Sequence, residues 1–438
     1  MFRVINSLKE RINYLIFFLN LYFINFYIAS LGLMDDFHYT KLNFLGDTNL
    51  YVQFLSSDIS SGGIRPFLPF QIMLNNLGFY LFSEKGYFII NLLILFLILA
   101  VFYSVFNKIF KLNKFLFYIL FFCWPYTYDL IIHPSLQEKF IILFISIFIY
   151  FVITNHKNNM TVSLLSFSIP LTKIQGLVFF PLIYSVLNSD FNKKNNKITP
   201  FLSFVISSLI VVSIFFYKPE TYFNQGIKVD RFFSQVLISP VNLLNIITIT
   251  AAYLSAKSLK LNNQSILKGL IFSNFLLIFF MSAYKPIGNY LNSVNIFFII
   301  IYLLIIYEYL ENRFKSTAFK TATKFISLIL FTVVLQLFGI PRFERMNSIN
   351  DVINYQSDSK SEIYYSCQEG VGYLNNVQKN NLFMHLENFQ NVENTNFLFL
   401  SDPFECNNVE NIISQKCDID RVTKFEYENS MKIIQYQC

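Results

Sequence analysis

From Tyr14 onward the chain alternates long apolar runs with short polar links. The first run, roughly Tyr14 to Met34, is about 20 residues long, enough for one bilayer-spanning helix. It is too long for a signal-peptide core, and no small-residue cleavage site follows it, so a retained first span is expected. Further apolar segments lie near 87–106, 115–132, 140–154, 200–217, 240–256, 269–283, 291–307 and 325–340. The stretch 161–189 is also apolar but short for two full spans, which need about 20 residues each. Two short helices meeting near Thr172 and Lys173 are expected there. Repeated runs of this length predict an all-α polytopic membrane protein.

The polar links supply the orientation. Lys and Arg cluster at Arg3, Lys9 and Arg11; at Lys108, Lys111 and Lys114; at Lys157; at Lys193, Lys194 and Lys197; at Lys257, Lys260 and Lys268; and at Arg313, Lys315, Lys320 and Lys324. Cytoplasmic loops carry an excess of Lys and Arg, so spans must pass between these clusters in even numbers. About eleven transmembrane helices satisfy that rule, with the N-terminus inside and the C-terminus outside. The first loop 35–86, the turn near 133–139, the loop 218–239, the turn 284–290 and the tail from Pro341 to Cys438 then face outward.

Composition agrees: 54% of residues are hydrophobic and 54 are Phe. The formal charge of +7 maps to the links between spans. It therefore reports topology rather than a binding patch, and nucleic acid is excluded as a partner.

The tail changes character. It is polar and Asn-rich, with alternating segments at Asn396–Leu400 and Lys424–Gln437 that predict strands. It holds four of the five cysteines: Cys367, Cys406, Cys417 and Cys438. Cysteines in a short extracytoplasmic domain predict two disulfides, with three possible pairings. The fifth, Cys123, lies in an apolar run and reads as buried packing. Two domains are expected: a membrane domain over 1–340 and a small extracytoplasmic α/β domain over 341–438.

Chemistry-bearing residues collect on the outward side. The first loop holds Asp35, Asp36, His38, Asp47, Asp58 and Arg65. Asp35 and Asp36 form an acid pair where the first apolar run ends, and carboxylates at a membrane boundary are costly and usually functional. One of them can serve as general base, taking the proton of an attacking hydroxyl. The other can orient it or bind a metal, since adjacent residues diverge on a helix. Pro66 can start a further helix, and the segment 66–82 is apolar enough to rest in the interface. Lys173 sits between apolar segments and is placed to neutralise a lipid-linked phosphate or pyrophosphate. The turn HPSLQEK brings His133, Glu138 and Lys139. Glu138 and Asp36 are candidate ligands for Mg²⁺ or Mn²⁺, whose chemistry suits carboxylate oxygens. Lys285 and Tyr290 in AYKPIGNY are further phosphate or sugar contacts. No Walker loop, GxGxxG, HExxH or GxSxG is present, so ATP-driven transport is not expected of this chain.

Over roughly residues 14–310 the sequence resembles the GT-C superfamily of polytopic glycosyltransferases. The resemblance rests on MDDFHY at the end of the first span, a long first loop with RPFLPF, the HPSLQEKF turn, and TKIQGLVFFPLIY. Length and composition are similar to those of serotype-converting glucosyltransferases. The resemblance implies a bacterial inner-membrane enzyme with a polyprenyl-phosphate or pyrophosphate sugar donor and a surface glycan or lipid-linked acceptor. The resemblance makes Asp35 or Asp36 the base and matches Lys173 to a basic position; from the residues themselves, Arg65, Lys173 and Lys285 are expected to meet the donor phosphate of an inverting transfer, and His38, Asp47, His133, Glu138, Gln175 and Tyr290 to contact substrate. Two alternatives stand beside it, an O-antigen or polysaccharide polymerase and a lipid-linked-glycan flippase or transporter. The scarcity of outer Arg weighs against the first. The absence of repeated halves weighs against the second.

Overall fold

A computed structural model describes residues 67–132, 138–154, 158–190, 197–217, 240–260, 263–284, 289–341 and 344, with Val52 before them. In the tail it describes 363–366, 382–385, 397–401, 407–424 and 432–437. The expected first span 14–34 lies outside these residues.

Helix α1 runs Leu68–Phe110, with a proline in its first turn, where the missing N–H has no helical partner to lose. It joins the expected interfacial segment 66–82 to the expected span 87–106. Gly78 faces the Gly86 carbonyl so closely that no Cβ fits there. Lys111 ends α1 in the left-handed region, with its N–H on the Asn107 carbonyl at 2.9 Å.

The expected span 115–132 is split into α2 (Lys114–Phe122) and α3 (Pro125–Ile132). Pro125 has no N–H to donate and drives Trp124 out of helical geometry, which breaks the run. Helix α2 is capped by Asn113, whose side chain accepts from the Leu116 N–H at 3.1 Å. Helix α4 (Glu138–Ile153) starts earlier than expected and takes Glu138 and Lys139 into its first turn.

Helix α5 (Asn159–Thr172) is capped by Asn158 and ends at Lys173, whose backbone is extended. A 3-10 turn over Ile174–Phe179 follows, then α6 (Phe180–Leu187). The break at Thr172–Lys173 matches the two short helices expected there. Gly176 holds the turn tight against α5: a Cβ there would run into the Ile169 carbonyl oxygen. Gly176→Ala is expected to destabilise the protein by about 1–3 kcal/mol, the usual cost of overpacking. Thermal unfolding in detergent checks this, and an unchanged midpoint would show that the turn can open.

Helices α7 (Ile198–Tyr217), α8 (Pro240–Ser258), α9 (Gln264–Tyr284), α10 (Asn289–Phe314) and α11 (Thr317–Val334) complete the described bundle. A π-helical turn over Leu335–Gly339 extends α11. Helix α10 is the hub, packing on α2, α3, α4, α8 and α9. Three described helices are long and apolar enough to cross a membrane: Ile89–Phe110, Val294–Phe314 and Thr317–Gly339. The second is 67% buried inside the protein and the third only 17%. Phe325, Ile326, Leu328 and Leu337 of α11 are exposed, the composition of a face turned to lipid tails.

The tail forms a five-stranded sheet of order β2-β1-β3-β5-β4. Its strands are β1 (Ile363–Ser366), β2 (Leu382–His385), β3 (Phe397–Ser401), β4 (Asp418–Lys424) and β5 (Lys432–Gln437). Strands β1, β2 and β3 are parallel, whereas β5 is antiparallel to β3 and β4. The expected strand at 396–400 is β3, and the expected 424–437 strand is confined to β5. Alternation along β3 separates two faces. Phe399 packs with Ile434, Tyr436 and Cys417, and with Ile413 of helix α12 (Asn407–Ser414). Leu400 and Ile433, on the other face, join the bundle's own core. Glu410 of α12 accepts from Ser401 at 2.7 Å and from Lys432 at 2.5 Å, tying helix to sheet.

Candidate functional site

The described chemistry gathers where α3 ends and α4 begins. The last carbonyls of a helix have no intrahelical partner. Here Asn91, in the apolar middle of α1, donates through Nδ2 to the Leu130 carbonyl at 3.1 Å and the Ile131 carbonyl at 3.0 Å. Its Oδ1 accepts from the Lys139 ammonium. A cation beside the C-terminal end of α3 is also favoured by that helix's dipole, as is the Glu138 carboxylate in the first turn of α4. Glu138, Lys139 and Asn91 are fully buried.

Lys173 completes the cluster from the break between α5 and the 3-10 turn, donating to Glu138 Oε1. About a fifth of its side chain stays exposed, against none for Glu138. Taking two ions out of water costs several kcal/mol each, and only close pairing and further hydrogen bonds repay it. Glu138 Oε2 has no hydrogen-bond partner among the described residues. Five segments thus meet around one ion pair: α1, α3, α4, α5 and the 3-10 turn.

Glu138 and Lys139 thus stand buried in the first turn of α4 rather than in a free turn, against Lys173 and Asn91. Glu138 Oε1 is engaged by Lys173. Among the described residues no group of three or more His, Cys, Asp or Glu side chains comes together as a metal site. Gln175 is buried in the 3-10 turn, two residues from Lys173. Tyr290 falls in the first turn of α10. Asp35, Asp36, His38, Asp47, Arg65, His133 and Lys285 lie outside the described residues.

Asn91 was missed by sequence reading, although one amide in IINLLILFLILA is a readable signal, since polar groups inside a membrane span are expensive. Cys123 is buried and free, as expected, with its thiol on the Ser327 carbonyl at 3.3 Å. Cys417 is disulfide-bonded, and Cys367, Cys406 and Cys438 lie outside the described residues. Burial raises the Tyr436 phenol above its usual pKa, against the hydrogen bond it shares with Ser414 at 3.2 Å.

These features define a helical membrane protein with a small mixed sheet appended, and with an ion pair buried where helices break. No family model matches the chain, and no curated protein is similar to it in sequence. Its fold is similar to that of ArnT from Cupriavidus metallidurans, seen in a crystal structure of the apo state. The likeness has a TM-score of 0.52 at 10% identity and covers 98% of each chain. The chain therefore shares the overall fold of that structure.

Proposed function

We propose that the protein is a membrane glycosyltransferase. It moves a sugar from a polyprenyl-phosphate or pyrophosphate donor to a surface glycan or lipid-linked acceptor on the outer face of a bacterial inner membrane. The observation that carries this reading is the fold shared with ArnT, a 4-amino-4-deoxy-L-arabinose transferase, over nearly the whole chain. About eleven spans, an inside N-terminus and an outside tail complete the arrangement.

The acceptor hydroxyl attacks the anomeric carbon as Asp35 or Asp36 takes its proton. The bond from that carbon to the donor phosphate breaks, and the phosphate leaves with the electron pair. Lys173, with Arg65 and Lys285, stabilises the charge gained by the departing phosphate. Glu138 holds the Lys173 ammonium in place, so that it need not reorganise as charge develops. Attack opposite the leaving group inverts the anomeric centre, through an oxocarbenium-like transition state. Asp36 is the first-loop carboxylate available to a Mg²⁺ or Mn²⁺ ion.

The test uses purified protein in detergent, radiolabelled polyprenyl-phosphate hexoses and host surface glycan. Label is expected to pass from the lipid to the glycan. Repeating the assay with EDTA reads metal use directly. Intact protein that releases no sugar from any donor would overturn the reading.

A further inference from the structure

Among the described residues, the non-glycine positions with positive φ are three lysines, and each stands just beyond the end of a helix. Lys111 follows α1 at φ 55°, Lys260 follows α8 at 49° and Lys315 follows α10 at 46°. Each closes its helix with its own N–H. Lys111 donates to the Asn107 carbonyl at 2.9 Å, Lys260 to the Lys257 carbonyl at 3.2 Å and Lys315 to the Glu311 carbonyl at 2.9 Å. Glycine takes this left-handed conformation without the clash that a Cβ brings, and asparagine is the usual second choice. Lysine at all three places costs backbone energy, which a cation beside the last carbonyls of a helix only partly recovers.

The three helix ends lie at one end of the bundle. The Asn263 side chain, in the link that follows Lys260, donates to the Ile109 carbonyl at 3.0 Å, just before Lys111. Lys324 of α11, the helix that follows Lys315, stands 5.5 Å from the centre of the Phe115 ring, just after Lys111. Helix α8 packs along α10. Lys108, Lys111, Lys260, Lys315 and Lys324 are all exposed. Over residues 107–116, 253–268 and 308–326 the only carboxylates are Glu308 and Glu311, and Lys320 pairs with Glu311. This end of the bundle is therefore a cationic rim.

Depth selects the partner. Phe325 and Ile326 follow Lys324 on α11 and are exposed, and so are Tyr253 and Leu254, about one turn before Lys257 on α8. The cations thus border apolar surface of the kind that faces lipid tails, which sets them at headgroup level. We propose that this rim binds the headgroups of anionic phospholipids in the leaflet it faces. A phospholipid uses both features at once, its phosphate on the lysines and its acyl chains on the apolar border, whereas a soluble anion uses only the charge. The lipid here is a bilayer component rather than a sugar donor, so the inference stands apart from the transferase reading.

The experiment incubates the full chain in detergent with equimolar phosphatidylglycerol and phosphatidylcholine and measures the retained lipid by native mass spectrometry. Wild-type protein is expected to retain the anionic lipid about tenfold over the zwitterionic one, as a few lysines near a lipid surface allow. Added salt should shrink that preference, because exposed charges are screened. A triple variant, Lys111→Gly with Lys260→Gly and Lys315→Gly, removes the charge and suits the left-handed backbone. Its unfolding midpoint should hold or rise, and the flanking lysines keep the charge bias that orients the spans. Its preference for phosphatidylglycerol is expected to fall at least about threefold, while arginine at the same three positions retains it. Should the glycine variant fail to fold, Lys108→Gln with Lys324→Gln, at ordinary helical positions, applies the same test. Folded variants with the full preference would overturn the proposal, as would wild-type protein with none. A preference abolished by inorganic phosphate at the lipid's own concentration would also overturn it, in favour of a site for a soluble anion.

Discussion

Asp35→Asn or Asp36→Asn is expected to lower sugar transfer by roughly 10²–10⁴-fold, the usual contribution of a positioned general base. The two are adjacent, so their side chains diverge and one carries most of the effect. Asparagine keeps the shape and removes the proton acceptor, so membrane insertion and the amount of folded protein should stay unchanged. Donor binding should also hold, because the phosphate contacts assigned to Arg65, Lys173 and Lys285 are elsewhere in the chain. The measurement is initial transfer rate at saturating donor, beside lipid binding for the same variants. Full activity in both variants would remove the base assignment.

The second large effect is at the buried ion pair. Lys173→Met leaves the Glu138 carboxylate buried without its partner, and breaking such a pair costs about 3–5 kcal/mol. The expected result is a marked loss of folded protein in detergent, beyond what an exposed lysine would cause. Adding Glu138→Gln to Lys173→Met removes the orphaned charge, so the double variant should recover much of that stability. It should not recover transfer, because the cation assigned to the leaving phosphate is still missing. This separation of stability from activity distinguishes a working lysine from a merely structural one. A double variant restored in both respects would show that Lys173 serves only the fold.

Much of the bundle was legible because long apolar runs have one plausible structure in lipid, the hydrogen-bonded helix. The break at Lys173 could be read from the length of 161–189 alone. The break at Trp124 could have been read too, since Pro125 stands in the middle of the expected span. Closer reading fails where tertiary contacts decide. Glu138 and Lys139 look like surface charges in HPSLQEKF until Lys173, far along the chain, and Asn91, on another helix, are seen beside them. Two strands of the tail, β3 and β5, were visible from alternation, but β1, β2 and most of β4 were not, and a parallel β2-β1-β3 order involves pairings that sequence spacing does not encode.

The central claim is that the protein breaks a glycosidic bond to a lipid phosphate rather than moving or polymerising intact lipid-linked glycans. The most direct measurement reconstitutes it in proteoliposomes with radiolabelled polyprenyl-phosphate hexose and supplies surface glycan to the outward face of the protein. The account predicts that label leaves the lipid fraction and appears on that glycan with inverted anomeric configuration, and that bare polyprenyl phosphate accumulates in equal amount. Donor lipid that crosses the bilayer chemically unchanged, with no label on the glycan, would contradict it.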